Sequence, residues 1–263
     1  MRINNNITAI NSHRQYGINN SQIGKNVEKL SSGFRVNRAG DDAAGLAISE
    51  KMRTQIRGLN MASKNSQDGI SLVQTAEGAL QTAHNIMQRM RELAVQARNG
   101  TNDDTVDRNA LNLEFSHLNL EISQIESTIK FNDMSVFAQE FTLQTGANST
   151  DVTTFSIASL APVGGDITSE GTAAQAIADL TTSINELSVN RATLGAIQNR
   201  LEFKIQNLDN SAENLQAAES RIRDVDMAKM MTEFTKNNIL FQASTAMLAQ
   251  ANALPQSVLQ LVG

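Results

Sequence analysis

The chain has 263 residues, a net charge of −5, no cysteine, no tryptophan, one tyrosine and two prolines. The lack of cysteine excludes disulfides, thiol catalysis and cysteine-ligated metal sites. The acidic balance disfavours a nucleic-acid partner, because phosphate binding needs clustered positive charge. Aromatic residues are only 4 % of the chain, which is typical of a long helical bundle whose seams are filled by Leu, Ile, Met and Ala.

The N-terminal sequence has the features of neither a secretory signal nor a membrane anchor. Residues 1–7 contain no continuous apolar stretch and no small-residue cleavage site. No segment of the chain approaches the roughly 20 apolar residues of a membrane helix, so we expect no membrane insertion. The residues alone leave two interpretations open: a cytosolic protein, or one exported by a route that removes no signal.

The N-terminal half is predicted to be helical from apolar residues spaced three and four apart. A first helix carries Ile3, Ile7 and Ile10 and is interrupted at Ser31-Ser32-Gly33. A second covers about 43–98, and a third covers about 105–129 after the Asn- and Gly-containing turn at 99–104. The short turn between opposed apolar stripes predicts an antiparallel helical hairpin.

Residues 131–170 differ in character, with phenylalanines set among Thr, Ser, Gly and Asn. Segments 141–145 and 153–157 alternate apolar and polar residues, which is typical of short strands. Gly146-Ala147-Asn148 supplies a turn between them. This region is therefore predicted to contain a β-hairpin.

From residue 172 the helical pattern returns with apolar residues at three- and four-residue spacing up to Leu215. Arg191 and Gln198 are polar positions of this seam, and we expect them to control register. A helix uninterrupted from 172 to 254 would be about 120 Å long at 1.5 Å per residue. Pro255 is expected to bend or break the final stripe, which consists of Leu240, Ser244, Met247, Ala251, Leu254, Val258 and Leu261.

The two terminal stripes are too short to be stable alone, because isolated helices are marginal in water. We expect them to pair with each other and to leave apolar sides open as an assembly surface. The predicted fold is therefore mainly α: a long antiparallel helical rod of coiled-coil type, with a small β-hairpin region and paired N- and C-terminal helices.

The sequence lacks the common motifs for catalysis, metal binding and nucleotide binding. His13, His84 and His117 do not belong to an H-E-x-x-H motif, and the chain has no G-x-S-x-G, phosphate loop or G-x-G-x-x-G. We expect a structural protein that is not an enzyme, with no cofactor and no catalytic or metal-binding residues.

Several separate motifs resemble those of bacterial flagellins. LSSGFRVN at 30–37 and DDAAGLAI at 41–48 resemble the N-terminal signature of that family. Further similar segments occur, in the order of the family, at 68–71, 75–80, 91–96, 194–201, 220–226 and 248–252. The resemblance covers nearly all of 1–140 and 172–263.

The resemblance implies a subunit that polymerises into the flagellar filament for motility and is extracellular. It implies export through the flagellar type III apparatus without signal cleavage. It also implies as partners further copies of the chain in a helical filament, an export chaperone, the filament cap and the hook-junction proteins.

The family's organisation implies an inner terminal-helix domain, 1–42 with 222–263, and a rod domain, 43–221, which includes the β-rich segment 131–170. The short insert between the halves implies a minimal flagellin without large outer domains. The residues expected to drive polymerisation are Ile3, Ile7, Ile10, Leu240, Met247, Leu254, Val258 and Leu261.

The resemblance also implies recognition by a Toll-like innate immune receptor of animal hosts. Arg89, Leu93 and Glu114 match the family positions implicated in receptor binding. The alternatives are a hook–filament junction protein, an enzyme hosted in the central insert, and a lone coiled-coil adaptor.

Overall fold

The computed structural model describes residues 6–103 and 106–262, with side chains described up to residue 253. These residues form five helices: α1 (Ile7–Ser32), α2 (Ala43–Ala97), α3 (Asp107–Thr128), α4 (Glu170–Arg223) and α5 (Met227–Val262). Four short strands follow α3: β1 (Lys130–Phe131), β2 (Met134–Ser135), β3 (Gln139–Gln144) and β4 (Val152–Ile157). The predicted fold class, mainly helical with a small β region, is confirmed.

The contacts divide the chain into two compact units. Unit 1 comprises Met1–Thr54 and Asn214–Gly263, and unit 2 comprises Gln55–Glu213. Helices α2 and α4 each contribute to both units. Every contact described below lies within one unit.

The core of unit 2 rests on a heptad seam along α4. Every seventh residue of this seam is buried, namely Ala173, Leu180, Leu187, Leu194, Leu201 and Leu208. A strict seven-residue period keeps one stripe of a helix facing its partners. From Ala173 to Leu194 the seam packs with buried residues of α2 and α3 in one continuous core. The leucine positions of the predicted seam from Leu180 to Leu208 are therefore confirmed.

The polar positions of this seam differ from each other. Arg191 Nη2 lies 3.6 Å from Glu77 Oε1 on α2. Gln198 Nε2 instead donates to Glu202 Oε1 at 3.0 Å on the same helix. The ion pair gives Arg191 a contact across the seam. Register control by Arg191 and Gln198 stays a prediction.

Helices α2 and α3 form the predicted antiparallel hairpin. Arg108 of α3 is buried, and its Nε donates to the Ala97 carbonyl at 2.7 Å. Its Nη2 donates to the Asn99 carbonyl at 3.2 Å. The last carbonyls of a helix have no partner within the helix. A buried guanidinium therefore satisfies the C-terminal end of α2 and closes the turn.

Strands β3 and β4 form the predicted β-hairpin, with Phe141 opposite Phe155. The two rings lie 5.9 Å apart. The hairpin is attached to α2, because Asn65 Nδ2 donates to the Gln144 carbonyl at 3.1 Å. Gly58 of α2 permits this approach, since a Cβ there would lie 2.9 Å from the Ala147 Cβ.

In unit 1 the helical path is interrupted at residues 224–226, so an uninterrupted helix from 172 to 254 is wrong. The Arg223 carbonyl accepts from Arg35 N at 2.6 Å, and Val225 N donates to the Gly33 carbonyl at 3.0 Å. These backbone groups bond to the segment after α1 instead of continuing the helix. Gly33 allows that segment to turn, because its φ of +73° suits a residue without Cβ.

The side chain of Arg223 reinforces this junction. Its Nη1 donates to Glu50 Oε1 at 2.8 Å, and its guanidinium carbon lies 4.6 Å from the centre of the Phe34 ring. The hydrogen bond from Arg223 lowers the pKa of the Glu50 carboxyl below its ordinary value. The junction thus joins α1, α2 and α4 within unit 1.

Pro255 does not interrupt α5, which continues to Val262. A proline has no N–H to donate to the carbonyl four residues earlier, which here belongs to Ala251. That carbonyl instead accepts from Asn6 Nδ2 at 2.7 Å. Asn6 also caps α1, because its Oδ1 accepts from Ala9 N at 3.1 Å. One amide thus supports the start of α1 and the proline position of α5.

Replacing a leucine of the α4 seam should destabilise unit 2. Leu194 is 2 % exposed, and we expect Leu194→Ala to lower the free energy of unfolding by about 2–5 kcal/mol. The matched control is Leu120→Ala on α3, where the side chain is 65 % exposed and the expected change is within about 0.5 kcal/mol. Urea denaturation followed by circular dichroism measures both, and equal effects would contradict the core assignment.

Candidate assembly interface

Helices α1 and α5 meet through a seam that contains buried polar side chains. The structure describes every residue of α1, and the buried ones are Asn19 and Asn26. Among the described side chains of α5, Ser244 and Ala251 are buried. Asn19 Nδ2 donates to Ser244 Oγ at 2.9 Å. The side chains beside them on the same faces are half-buried and apolar, namely Ile23 and Leu30 on α1 and Phe234 and Leu248 on α5. Polar groups thus occupy the most buried positions of α1 in a seam that is otherwise apolar.

Aromatic rings accompany the polar contact. The centroids of Tyr16 and Phe241 lie 4.8 Å apart, with a tilt of 32° between the ring planes. Tyr16 precedes Asn19 by three residues and Phe241 precedes Ser244 by three, so each pair shares a helix face. The predicted pairing of the terminal helices is confirmed.

The predicted stripes form the seam only in part: Ser244 and Ala251 of the α5 stripe are buried, but the large apolar members at described positions are not. Ile10 is 62 % exposed and Met247 is 67 % exposed, and Ile7 and Leu240 are exposed as well. The expectation that these stripes pair with each other is therefore wrong for these four residues. Ile3 lies outside the described residues, as do the side chains of Leu254, Val258 and Leu261.

Further large apolar side chains are exposed on the same two helices. They are Ile18 and Val27 on α1, and Met227, Met231 and Ile239 on α5. Part of this surface is concave: an open groove of about 540 Å³ on α5 is lined by Met231, Thr232, Thr235, Lys236, Ile239 and Leu240. Contiguous exposed apolar surface of this kind marks interaction sites.

In unit 2, Arg89 and Glu114 are brought together, as the hairpin of α2 and α3 requires. Arg89 Nε donates to Glu114 Oε1 at 3.0 Å, and its Nη1 donates to Glu92 Oε2 at 3.1 Å. The hydrogen bonds with Glu114 and then Glu92 raise the pKa of Arg89 above its ordinary value. Both Arg89 and Glu114 are exposed, so the pair is accessible to a partner.

Leu93 is placed differently from these two residues. Its side chain is 1 % exposed and belongs to the core of unit 2. The exposed apolar residue nearby is Val95, at 53 %. Together with Thr181, Ile184 and Asn185 of α4 it lines an open groove of about 690 Å³. The spacing of three from the buried Met90 could have indicated that Leu93 faces inward.

The structure offers no other candidate site of the usual kinds within its described part. No group of three or more His, Cys, Asp or Glu side chains at described positions could hold a metal ion. Over the same residues, every helix is too short or too polar to cross a bilayer.

Comparison with known proteins decides the family. The profile of the bacterial flagellin N-terminal helical region matches residues 3–142, and that of the C-terminal helical region matches residues 177–262. The chain belongs to the bacterial flagellin family. Flagellins are structural proteins, which agrees with the expected absence of enzymatic activity.

Curated flagellins match over their whole length. The flagellin of Halalkalibacterium halodurans is 57 % identical and that of Bacillus subtilis is 52 % identical, each with 100 % of both chains covered. A flagellar filament 31.3 kDa core protein of Treponema maltophilum is 46 % identical over the same full extent. The absence of a large insert in this chain fits a small flagellin.

A solved flagellin shares the fold over part of the chain. The crystal structure of Bacillus cereus flagellin is 31 % identical with a TM-score of 0.51, and the match covers 59 % of this chain and 94 % of that one.

Proposed function

We propose that the chain is the structural subunit of a flagellar filament, and that its polymerisation serves motility. The observation that carries the proposal is the exposed apolar surface of α1 and α5, which includes Ile7, Ile10, Leu240 and Met247. Membership of the flagellin family supports the same function. In a filament these faces would be covered by other copies of the chain.

The energetics favour this use of the surface. Burying one exposed isoleucine or methionine side chain contributes about 1.5–3 kcal/mol. A few such residues in each contact would offset the loss of translational and rotational freedom on association. We include Ile3, Leu254, Val258 and Leu261 in the proposed surface, because they continue the same sequence stripes.

The proposal assigns separate roles to the two parts of the chain. Residues 1–42 and 222–263 would form the inner terminal-helix domain of the filament, and 43–221 would form the rod domain around it. The core of α2, α3 and α4 supports a rod that is stable by itself. The short segment 131–170 contains the β-hairpin and supports a minimal flagellin.

The proposal includes an extracellular location, reached by type III export without signal cleavage. An export chaperone would shield the apolar groove of α5 before assembly, and the cap and hook-junction proteins would meet the ends of the filament. The groove supports the proposal of a chaperone, because an exposed apolar surface tends to aggregate when no partner covers it.

A hook–filament junction protein is the second candidate function. Seeding purified protein with filament fragments separates the two functions. A filament subunit extends long tubes from the seeds, whereas a junction protein stops growth after it binds.

Recognition of the depolymerised subunit by a Toll-like receptor is a further part of the proposal. The accessible Arg89–Glu114 pair, 3.0 Å apart, supports a polar contact. Leu93 is buried, so we assign it an indirect role, in which it holds α2 in position. We propose Val95 in place of Leu93 as the apolar residue that contacts the receptor beside the Arg89–Glu114 pair.

Truncation after residue 225 should abolish polymerisation, because it removes the whole of α5. Unit 2 should remain soluble and keep its unfolding transition, since its core lies in residues that the truncation leaves. Light scattering after seeding measures polymerisation, and filaments grown from the truncated chain would refute the role assigned to the ends.

A point variant sharpens this test. Met247→Gln should raise the critical concentration for assembly about tenfold, because it removes an exposed apolar contact. Thr245→Ser, at a neighbouring exposed position, is the matched control and should assemble normally.

Receptor binding should depend on the ion pair. Glu114→Ala and Arg89→Ala should each weaken binding of the monomer to the receptor ectodomain at least about fivefold, since both remove a charge-assisted contact. Arg57→Ala, at another exposed position of α2, is the control. Calorimetry with purified monomer measures the affinities, and unchanged binding by both variants would contradict the assignment.

A further inference from the structure

The face of α1 that meets α5 combines polar and apolar residues. Asn19 and Asn26, seven residues apart, are its buried side chains, and Tyr16, Ile23 and Leu30 on the same face are half-buried. A second set of apolar side chains, which includes Ile7, Ile10 and Ile18, is exposed. Because apolar residues lie on more than one face of α1, apolar burial alone selects weakly between orientations, and a polar contact can determine which face of α1 meets α5.

The contact of Asn19 with Ser244 can select the paired face, because it is a hydrogen bond between buried side chains of the two helices. Asn19 Nδ2 donates to Ser244 Oγ at 2.9 Å, and Ser244 Oγ donates to the Leu240 carbonyl at 2.7 Å. Asn19 Oδ1 in turn accepts from Gln15 Nε2 at 3.5 Å. The Asn19 and Ser244 side chains thus both have hydrogen-bond partners. Of these three hydrogen bonds, only the one from Asn19 to Ser244 joins the two helices.

The other buried asparagine lacks such a contact. Asn26 Oδ1 accepts from Gln22 Nε2 at 3.4 Å on the same helix. Its Nδ2 has no hydrogen-bond partner within the described part of the chain. Of the two buried asparagines, Asn19 therefore donates a hydrogen bond to α5, in addition to the bond from the N-cap Asn6 to the Ala251 carbonyl.

The alternative orientation shows why this bond matters. Adjacent residues of a helix are about 100° apart, so turning α1 by that angle would bring Ile18 toward α5 in place of Asn19. Ile18 would gain contacts while the half-buried Tyr16 and Ile23 would lose theirs, so apolar burial discriminates weakly between the two arrangements. The turn would also separate Asn19 from Ser244 and leave the buried Ser244 hydroxyl without that donor, which is unfavourable. The polar contact opposes the turn.

We infer that the Asn19–Ser244 hydrogen bond determines the orientation of α1 against α5, and thereby keeps the apolar faces of both helices available to further copies of the chain. Asn19 and Ser244 are positioning residues, which act through Ile7, Ile10 and Met247. A single buried polar contact specifies pairing in this manner in coiled coils. The inference rests on the proposed polymerisation.

A pair of cysteines tests the inference with a redox switch. The chain has no native cysteine, so Asn19→Cys/Ser244→Cys provides the only thiols. Oxidised, the disulfide replaces the hydrogen bond, and assembly should match the wild type. Reduced, the contact is lost, and the critical concentration should rise about tenfold. The wild type with reductant and Asn20→Ala, at an exposed asparagine, are the controls.

A second variant separates orientation from stability. Asn19→Leu/Ser244→Ala makes the seam apolar, so the helices should stay protected in hydrogen exchange while the critical concentration rises about tenfold. The exchanged variant Asn19→Ser/Ser244→Asn should restore assembly. Assembly of the apolar variant at the wild-type concentration would overturn the inference, because seam stability alone would then suffice. Failure of the oxidised cysteine pair to assemble would also overturn it.

The free chain distinguishes this inference from the proposed function. Thiols at 19 and 244 should close an intrachain disulfide, and thiols at the outward positions Ile18 and Ile239 should not. Closure of the outward pair instead would overturn the inference even if filaments form. A 19–244 cysteine variant that closes its disulfide, together with a wild-type chain that never polymerises, would refute the proposed function and, with it, the use we assign to the orientation.

Discussion

The seam between α1 and α5 places buried amide and hydroxyl groups among half-buried apolar side chains, and the face that it selects determines what the rest of the terminal pair exposes. A helix has one circumference, so placing Asn19 and Asn26 inside turns Ile7, Ile10 and Ile18 outside. On α5, Ser244 and Ala251 occupy the inside while Leu240 and Met247 remain exposed. In our inference a polar contact selects the paired faces, and a second set of apolar side chains remains exposed for association.

Unit 2 differs, because it buries its large apolar side chains within the chain, as helical cores ordinarily do. Its heptad leucines from Leu180 to Leu208 are buried within the chain. Their burial contributes stability that needs no second copy, because each leucine leaves water when the subunit folds. One chain thus combines a helical core that is buried within the subunit with terminal helices that expose apolar side chains. A filament subunit requires both properties.

Much of the fold could be predicted from the sequence, because periodicity reports directly on burial in a long helix. The α4 seam, the hairpin of α2 and α3, and the pairing of β3 with β4 all follow from local spacing and turn residues. Periodicity identifies an apolar stripe but not what covers it. For that reason the spacing predicts that the stripes of Ile10 and Met247 pair with each other, whereas both side chains are exposed; their part in polymerisation stays a prediction.

Other features depend on contacts between residues distant in sequence. The interruption at 224–226 arises because Arg223 and Val225 bond to Arg35 and Gly33, which no local pattern indicates. Pro255 lies within α5, and the carbonyl that it leaves without a donor accepts from Asn6. The spacing of three between Met90 and Leu93 indicates that Leu93 faces inward, whereas the family resemblance implies a residue at the surface.

Electron microscopy of the purified full-length chain after salt-induced assembly tests the central claim most directly. If the exposed faces of α1 and α5 are polymerisation surfaces, the micrographs will show long filaments of uniform diameter. Dispersed monomers or amorphous aggregates under the same conditions would contradict the account.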